Sequence, residues 1–150
     1  MIAGFEAAGL VGMLLAGWVT DRVFAGRGAR TCVLCMTFCA VSVLLFWQAP
    51  AENRTLSTAL LMCAGFFIYG PQALVGIAAA NLATKRAAAT AVGFTGLFGY
   101  GSTVLSGWGL GLLVQTYGWN AAFAAMTVTA AVGINLFIAA WNAPRDGYAR

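Results

Sequence analysis

The sequence predicts an all-α, polytopic membrane protein of five transmembrane helices, and three observations carry that prediction. Hydrophobic residues make up 61% of the 150-residue chain and charged residues 8%, with a mean hydropathy of +0.85; a typical soluble domain has about 25% charged residues. Five apolar stretches are each long enough for the roughly 20 residues that a helix needs to cross the hydrocarbon core. The Lys and Arg residues fall in the short breaks between these stretches and in the tail, not on one face of a folded surface.

The first stretch, residues 2–20, is apolar except for Glu6. It is not a signal peptide, because no basic segment precedes it and further spans follow it. The break DRVFAGRGAR leads to the second stretch, residues 31–48, which holds Cys32, Cys35 and Cys39 in TCVLCMTFC. Their spacing resembles a redox or metal motif, yet no polar ligand lies near them. They read as small packing residues on one helix face. APAENRT separates this stretch from the third, residues 56–82, which contains FIYGPQ in its middle. A proline inside a helix removes a backbone donor and clashes with the preceding turn, which costs about 3 kcal/mol; Gly70 and Pro71 are therefore expected to kink this helix. After ATKRA comes the fourth stretch, residues 88–115, and after TYGW the fifth, residues 120–141, with NAPRDGYAR as the tail.

Composition also excludes function classes. The chain has no histidine and only four acidic residues, so a metal site or a general acid and base pair has little material. Enzymatic chemistry and a bound cofactor are not expected. The net charge of +4 does not imply nucleic acid, because a DNA-binding domain gathers its cations on one face. Gly93, Gly96 and Gly99 are not a nucleotide loop, since no strand precedes them.

Lys and Arg distribution predicts the orientation. Arg22, Arg27 and Arg30 lie in the first break, Lys85 and Arg86 in the third, and Arg145 and Arg150 in the tail, whereas the second break has only Arg54. The first and third breaks and the tail are thus expected in the cytoplasm, with the amino terminus outside. A five-span chain starting outside without a polar leader is expected to be the end of something longer, a truncated or mis-started part of a gene.

Polar groups at membrane depth are the functional candidates, because they are costly unless they face protein or water. Gly65, Tyr69, Gln72 and Gly76 recur at helical spacing, as do Gly96, Tyr100, Thr103, Gly107 and Gly111. The 19 glycines, including Gly9 and Gly12 and the pair Gly107 and Gly111, are expected to let helix backbones approach closely. Tyr69 lies 13 residues before Leu82, and Tyr100 lies 12 after Ala88. At about 1.5 Å per residue both sit roughly 18–20 Å from the same membrane face. They are placed to meet near the bilayer middle, either at a transport site or as hydrogen-bonding groups in a packed bundle. Glu6 needs a partner; a basic residue from outside these residues and interfacial water are the two readings.

The segments GFEAAGLVGMLLAGWVTDRVFAGRGAR, FIYGPQALVGIAAANLATKRAAATAVGFTGLFGY and YGWNAAF, in this order, resemble the carboxy-terminal half of the organophosphate:inorganic phosphate antiporters of the major facilitator superfamily. The resemblance covers nearly the whole chain. It implies a twelve-helix fold in two halves, with the five spans matching helices eight to twelve, in the cell inner membrane. It further implies that Tyr69, Tyr100 and Gln72 border a cavity for glycerol-3-phosphate or hexose phosphate, exchanged for inorganic phosphate. Glu6 would join a charge network between halves. Asp21, Arg22, Arg27 and Arg30 would form a cytoplasmic gating loop. In the family the phosphate is bound mainly by a pair of arginines, one on the first helix of each half; both matching helices precede Met1, and the amino-terminal half is expected to be missing. Asn81 and Thr84 depart from residues common in relatives, which leaves the particular organophosphate open, as well as whether the protein transports it or senses it for a partner kinase. A non-functional remnant is a third reading.

Overall fold

The computed structural model describes residues 2–50 and 52–143, so Arg145 and Arg150, used above for orientation, lie outside the described residues. Five helices follow one another: α1 (Ile2–Arg22), α2 (Gly28–Gln48), α3 (Arg54–Leu82), α4 (Ala88–Tyr117) and α5 (Trp119–Ala139). All five are long and apolar enough to cross a membrane, and the protein is a polytopic helical membrane protein.

The helix ends are set by local chemistry and differ from the sequence boundaries by up to three residues. α1 runs on to include Asp21 and Arg22, because charged side chains in a last turn reach water without breaking the backbone bonds. It closes where Ala25 and Gly26 take positive φ values of 52° and 82°, and the Gly26 N–H reaches back to the Thr20 carbonyl at 2.8 Å, satisfying one of the helix's last carbonyls. α2 begins earlier than expected, at Gly28, and so takes Arg30 into its first turn. It ends at Ala49, whose extended backbone (ψ 136°) is what a following proline imposes. The Asn53 side chain caps α3 by accepting from the Leu56 N–H at 3.1 Å. The break read as TYGW shrinks to one residue: Gly118, at φ 81°, is all that separates α4 from α5. α3 runs unbroken through Pro71.

α3 is the centre of the bundle, packing against α1, α2 and α4, while α5 lies against α2 and α4. A small core forms where Ala16, Cys32, Cys35 and Leu74 meet, flanked by Phe67 and Phe137. All three α2 cysteines are buried and unbonded to one another. The Cys39 thiol points at the Ala64 carbonyl at 3.7 Å, and packing is the role they take.

The expectation that glycines permit close helix packing divides in two. Between α1 and α3 it is met: a Cβ added at Gly12 would stand 2.7 Å from the Phe66 carbonyl carbon, one at Gly65 would stand 2.8 Å from the Phe5 carbonyl oxygen, and one at Gly70 would stand 2.8 Å from the Ala16 methyl. In α4 these five helices leave it untested: a Cβ at Gly93, Gly96, Gly99, Gly101, Gly107, Gly109 or Gly111 would meet nothing within 4 Å among the described residues. α4 has no buried residue, because it touches its neighbours along one edge only.

The two ends of the bundle differ chemically. At one, the Arg30 guanidinium lies 5.1 Å from the centre of the Trp141 ring, a cation–π contact that ties the start of α2 to the end of α5. Arg22, Arg27, Lys85 and Arg86 gather at the same end. At the other, Trp47 donates its indole N–H to Asn120 at 3.1 Å, and Phe46, Trp47, Trp119 and Phe123 stack around it. Such aromatic girdles sit at membrane interfaces.

Candidate functional site

Tyr69 and Tyr100 face different neighbours. Tyr69 turns toward α1, where its hydroxyl donates to the Glu6 carboxylate. Its ring meets the Phe5 ring edge-on, with centroids 6.0 Å apart, and lies over Gly9, where an added Cβ would come within 2.8 Å of the Tyr69 ring carbon Cγ. Glycine at this position lets the tyrosine lie flat enough on α1 to reach one turn back to Glu6. The partner of Glu6 is therefore a neutral hydroxyl within the chain, which neither sequence reading named. Depth held the signal: Glu6 lies 16 residues before Arg22 and Tyr69 lies 13 before Leu82, a difference of about one helical turn.

Tyr100 is 80% exposed and borders a groove of about 600 Å³ between α3 and α4. Gln72, Pro71 and Gly76 line the groove from α3, and Thr95, Ser102 and Thr103 line it from α4. Met36 of α2 and Phe137 of α5 also line it. The stripe on α3 is thus shared between two faces: Gly65 and Tyr69 serve the α1 contact, whereas Gln72 and Gly76 open on the groove. Gly70 and Pro71 are buried between them, with Gly70 against Ala16 and Cys35.

Asp21 and Arg22 are exposed in the last turn of α1, and Arg27 precedes α2. Arg30 is drawn away from them onto Trp141. A pair of buried threonines, missed in the sequence, closes the base of this loop. The Thr20 hydroxyl donates to the Ala16 carbonyl at 2.7 Å and stands 2.8 Å from the Thr31 hydroxyl. Each hydroxyl has one proton, so Thr31 supplies the proton of the second bond. Uncharged polar residues on both sides of a charged loop were the signal for this pair.

Among the described residues no cluster of three or more His, Cys, Asp and Glu side chains is arranged to hold a metal ion. The groove is bordered by hydroxyls and one amide, and none of its lining residues is charged. Chemically it can exchange hydrogen bonds with a polar, uncharged group.

No family model matches the chain. It is 39% identical over 140 residues to the "Probable hexose phosphate transport protein" of Chlamydia pneumoniae, covering 93% of this chain and 31% of the relative. It is 38% identical over 139 residues to the "Glycerol-3-phosphate transporter" of Bacillus subtilis, covering 92% and 31%. Against the "Membrane sensor protein UhpC" of Escherichia coli it is 34% identical over 144 residues, covering 95% and 33%. The chain thus spans about a third of the length of these curated relatives. Identity at this level over nearly every residue places the chain in the organophosphate:inorganic phosphate antiporter family of the major facilitator superfamily, as the counterpart of about a third of its members' length.

Proposed function

We propose that these five helices are part of a secondary active transporter that exchanges an organophosphate, glycerol-3-phosphate or a hexose phosphate, for inorganic phosphate by alternating access. The observation that carries this is the 38–39% identity, over more than nine-tenths of the chain, to relatives named as hexose phosphate and glycerol-3-phosphate transporters. In this reading the helices correspond to helices eight to twelve of the twelve-helix fold, in the cell inner membrane. The cationic end carrying Arg22, Arg27, Arg30, Lys85 and Arg86 faces the cytoplasm, as the positive-inside rule requires, and the aromatic end lies outside.

Tyr69, Tyr100 and Gln72 contact substrate. Glu6 serves a charge network across the transporter, held in register by Tyr69. Asp21, Arg22, Arg27 and Arg30 exchange partners as the helices rock. Lys and Arg in these five helices stand only in first or last turns, so the cations for the phosphate come from sequence beyond these residues. The first helix of each half provides one of them, and a matching amino-terminal half provides the opposite wall of the cavity.

A sensor is the second reading, favoured by the 34% identity to UhpC: the cavity binds sugar phosphate, and the output is contact with a signalling partner. One experiment separates the two. The protein, expressed from its own gene at the length it has in its membrane, is reconstituted into liposomes loaded with inorganic phosphate. Uptake of labelled glycerol-3-phosphate or glucose 6-phosphate against phosphate is then followed. Counterflow establishes transport. Binding without counterflow favours the sensor.

A further inference from the structure

We propose that Thr20 and Thr31 are positioning residues for exchange: their hydroxyl pair ties the last turn of α1 to the first turn of α2, and so holds the connecting turn, with Asp21, Arg22 and Arg27, in one arrangement. This rests on the transport function proposed above, in which those charged residues exchange partners as the helices rock. The two threonines touch no substrate and act only through that turn. Three observations carry the assignment.

The first is burial. Thr31 is 0% exposed and Thr20 is 6% exposed, next to a core made of Ala16, Cys32, Cys35 and Leu74. Valine has nearly the shape of threonine and no hydroxyl to satisfy, so packing alone would be served at lower cost by valine. The second is direction. The Thr20 hydroxyl gives its one proton to the Ala16 carbonyl at 2.7 Å, so the 2.8 Å bond between the hydroxyls takes its proton from Thr31. The bonds therefore run one way, from α2 through Thr20 into the α1 backbone, and each polarises the next. The third is what else Thr20 holds. Its backbone carbonyl accepts the Gly26 N–H at 2.8 Å, across a turn in which Ala25 has a φ of 52°, a left-handed conformation unfavourable for a residue with a Cβ. One residue is thus bonded to α1, to the turn and to α2. Among the described residues the threonine pair is the one side-chain hydrogen bond between α1 and α2. For the rest, α1 packs mainly on α3, and α2 on α3 and α5. Once the pair is broken the two helix ends can part and the turn can open, while each helix stays seated on α3.

The test uses the reconstituted protein at its natural length, with Cys63 and any exposed cysteine beyond these residues replaced by serine. A spin label is attached through Val23→Cys, since Val23 stands in the turn and is exposed. Three quantities are read well below the melting temperature of every variant: the rate of phosphate exchange with glycerol-3-phosphate or glucose 6-phosphate, affinity by displacement of labelled inorganic phosphate, and mobility of the label. In Thr20→Val and in Thr31→Val the exchange rate is expected to fall about fivefold, the worth of one hydrogen bond, because only the fraction with the turn in place is competent. The label is expected to become more mobile and the affinity to stay, which also shows that the variants are folded. Thr20→Ser and Thr31→Ser keep the hydroxyl and lose a methyl; both are expected to keep the parent's rate and its ordered label. Serine variants that lose as much rate as the valine variants would overturn the proposal, because the methyl and not the hydroxyl would then matter. So would valine variants with the parent's rate, or a slowed rate with the label unmoved. Absence of exchange in the unsubstituted protein would overturn the transport function itself, and the label alone then decides whether the pair holds the turn.

Discussion

Replacing Gly12 by alanine is the sharpest test of the bundle, because the group it would strike cannot move aside. A Cβ at this position stands 2.7 Å from the Phe66 carbonyl carbon and 3.0 Å from the Phe66 Cα. Both are backbone atoms in the middle of α3, so no rotamer change relieves the overlap. Carbon atoms pack at about 3.5–4.0 Å, and α1 and α3 must therefore separate by about 1 Å along their contact. Overpacking of this kind costs about 1–3 kcal/mol. For a chain of this size that is a fall in melting temperature of roughly 2–12 °C. Gly17→Ala is the control. It lies in the same helix and gains the same intrinsic helix propensity, yet its Cβ would meet nothing within 4 Å.

The chain carries its own reporter of this loss. Cys32, Cys35 and Cys39 are 2%, 6% and 7% exposed, so a thiol-reactive fluorogenic dye labels them only as the bundle opens. Cys63, which is exposed, is replaced by serine to remove background labelling. In this background Gly12→Ala is expected to label at a temperature several degrees below the parent, and Gly17→Ala at or above it. Equal midpoints for the two variants would refute the close α1–α3 contact, and with it the path by which Tyr69 reaches Glu6.

Three further outcomes follow from named contacts. Tyr69→Phe keeps the ring on Gly9 and Phe5 but removes the donor to Glu6; organophosphate affinity is expected to fall with membrane expression unchanged, and unchanged affinity in the same displacement assay would leave Tyr69 with a packing role alone. Pro71→Ala restores a backbone N–H, and so a bond to the Phe67 carbonyl of about 1 kcal/mol; a straighter and stiffer α3 is expected to slow exchange in proteoliposomes with binding retained, and unaltered exchange kinetics would make the proline only structural. Thr20→Val strands the buried Thr31 hydroxyl, at about 1–3 kcal/mol, whereas Thr31→Val leaves the Thr20 hydroxyl its bond to the Ala16 carbonyl; the double variant is expected to melt higher than the sum of the two single losses allows, and strict additivity would mean that the hydroxyls do not depend on each other.

The helices were legible because lipid imposes a simple rule: every backbone group must bond within its own segment, so an apolar run of sufficient length is a helix. Their ends were less so. Asp21, Arg22 and Arg30 were assigned to a loop by charge alone, yet backbone bonding ignores the charge at a side-chain tip, and all three are in helices. The α4–α5 break looked four residues long because tyrosine and tryptophan resemble interface residues. The positive φ of Gly118 does the whole work of the turn.

The candidate site was legible in its residues but not in its partners, and the glycines explain why. Gly12 in α1 and Gly107 in α4 look alike in sequence, each small and at helical spacing from another glycine. What separates them is whether a second helix crosses at that height, and spacing within one helix holds no information about that. Tyr69 and Tyr100 raise the same issue. Equal depth is necessary for two side chains to meet, but α3 has three neighbours, and a rotation of about 100° per residue decides which of them a side chain addresses. Tyr69 addresses α1, because Gly9 leaves room there and Glu6 offers an acceptor; Gln72, three residues on, opens toward α4. The single polar face read from FIYGPQ is therefore a border between two surfaces. One fixes a carboxylate in the bundle, and the other presents uncharged hydrogen-bonding groups to a groove. Gly70 and Pro71, both buried, lie between the two surfaces and keep them apart.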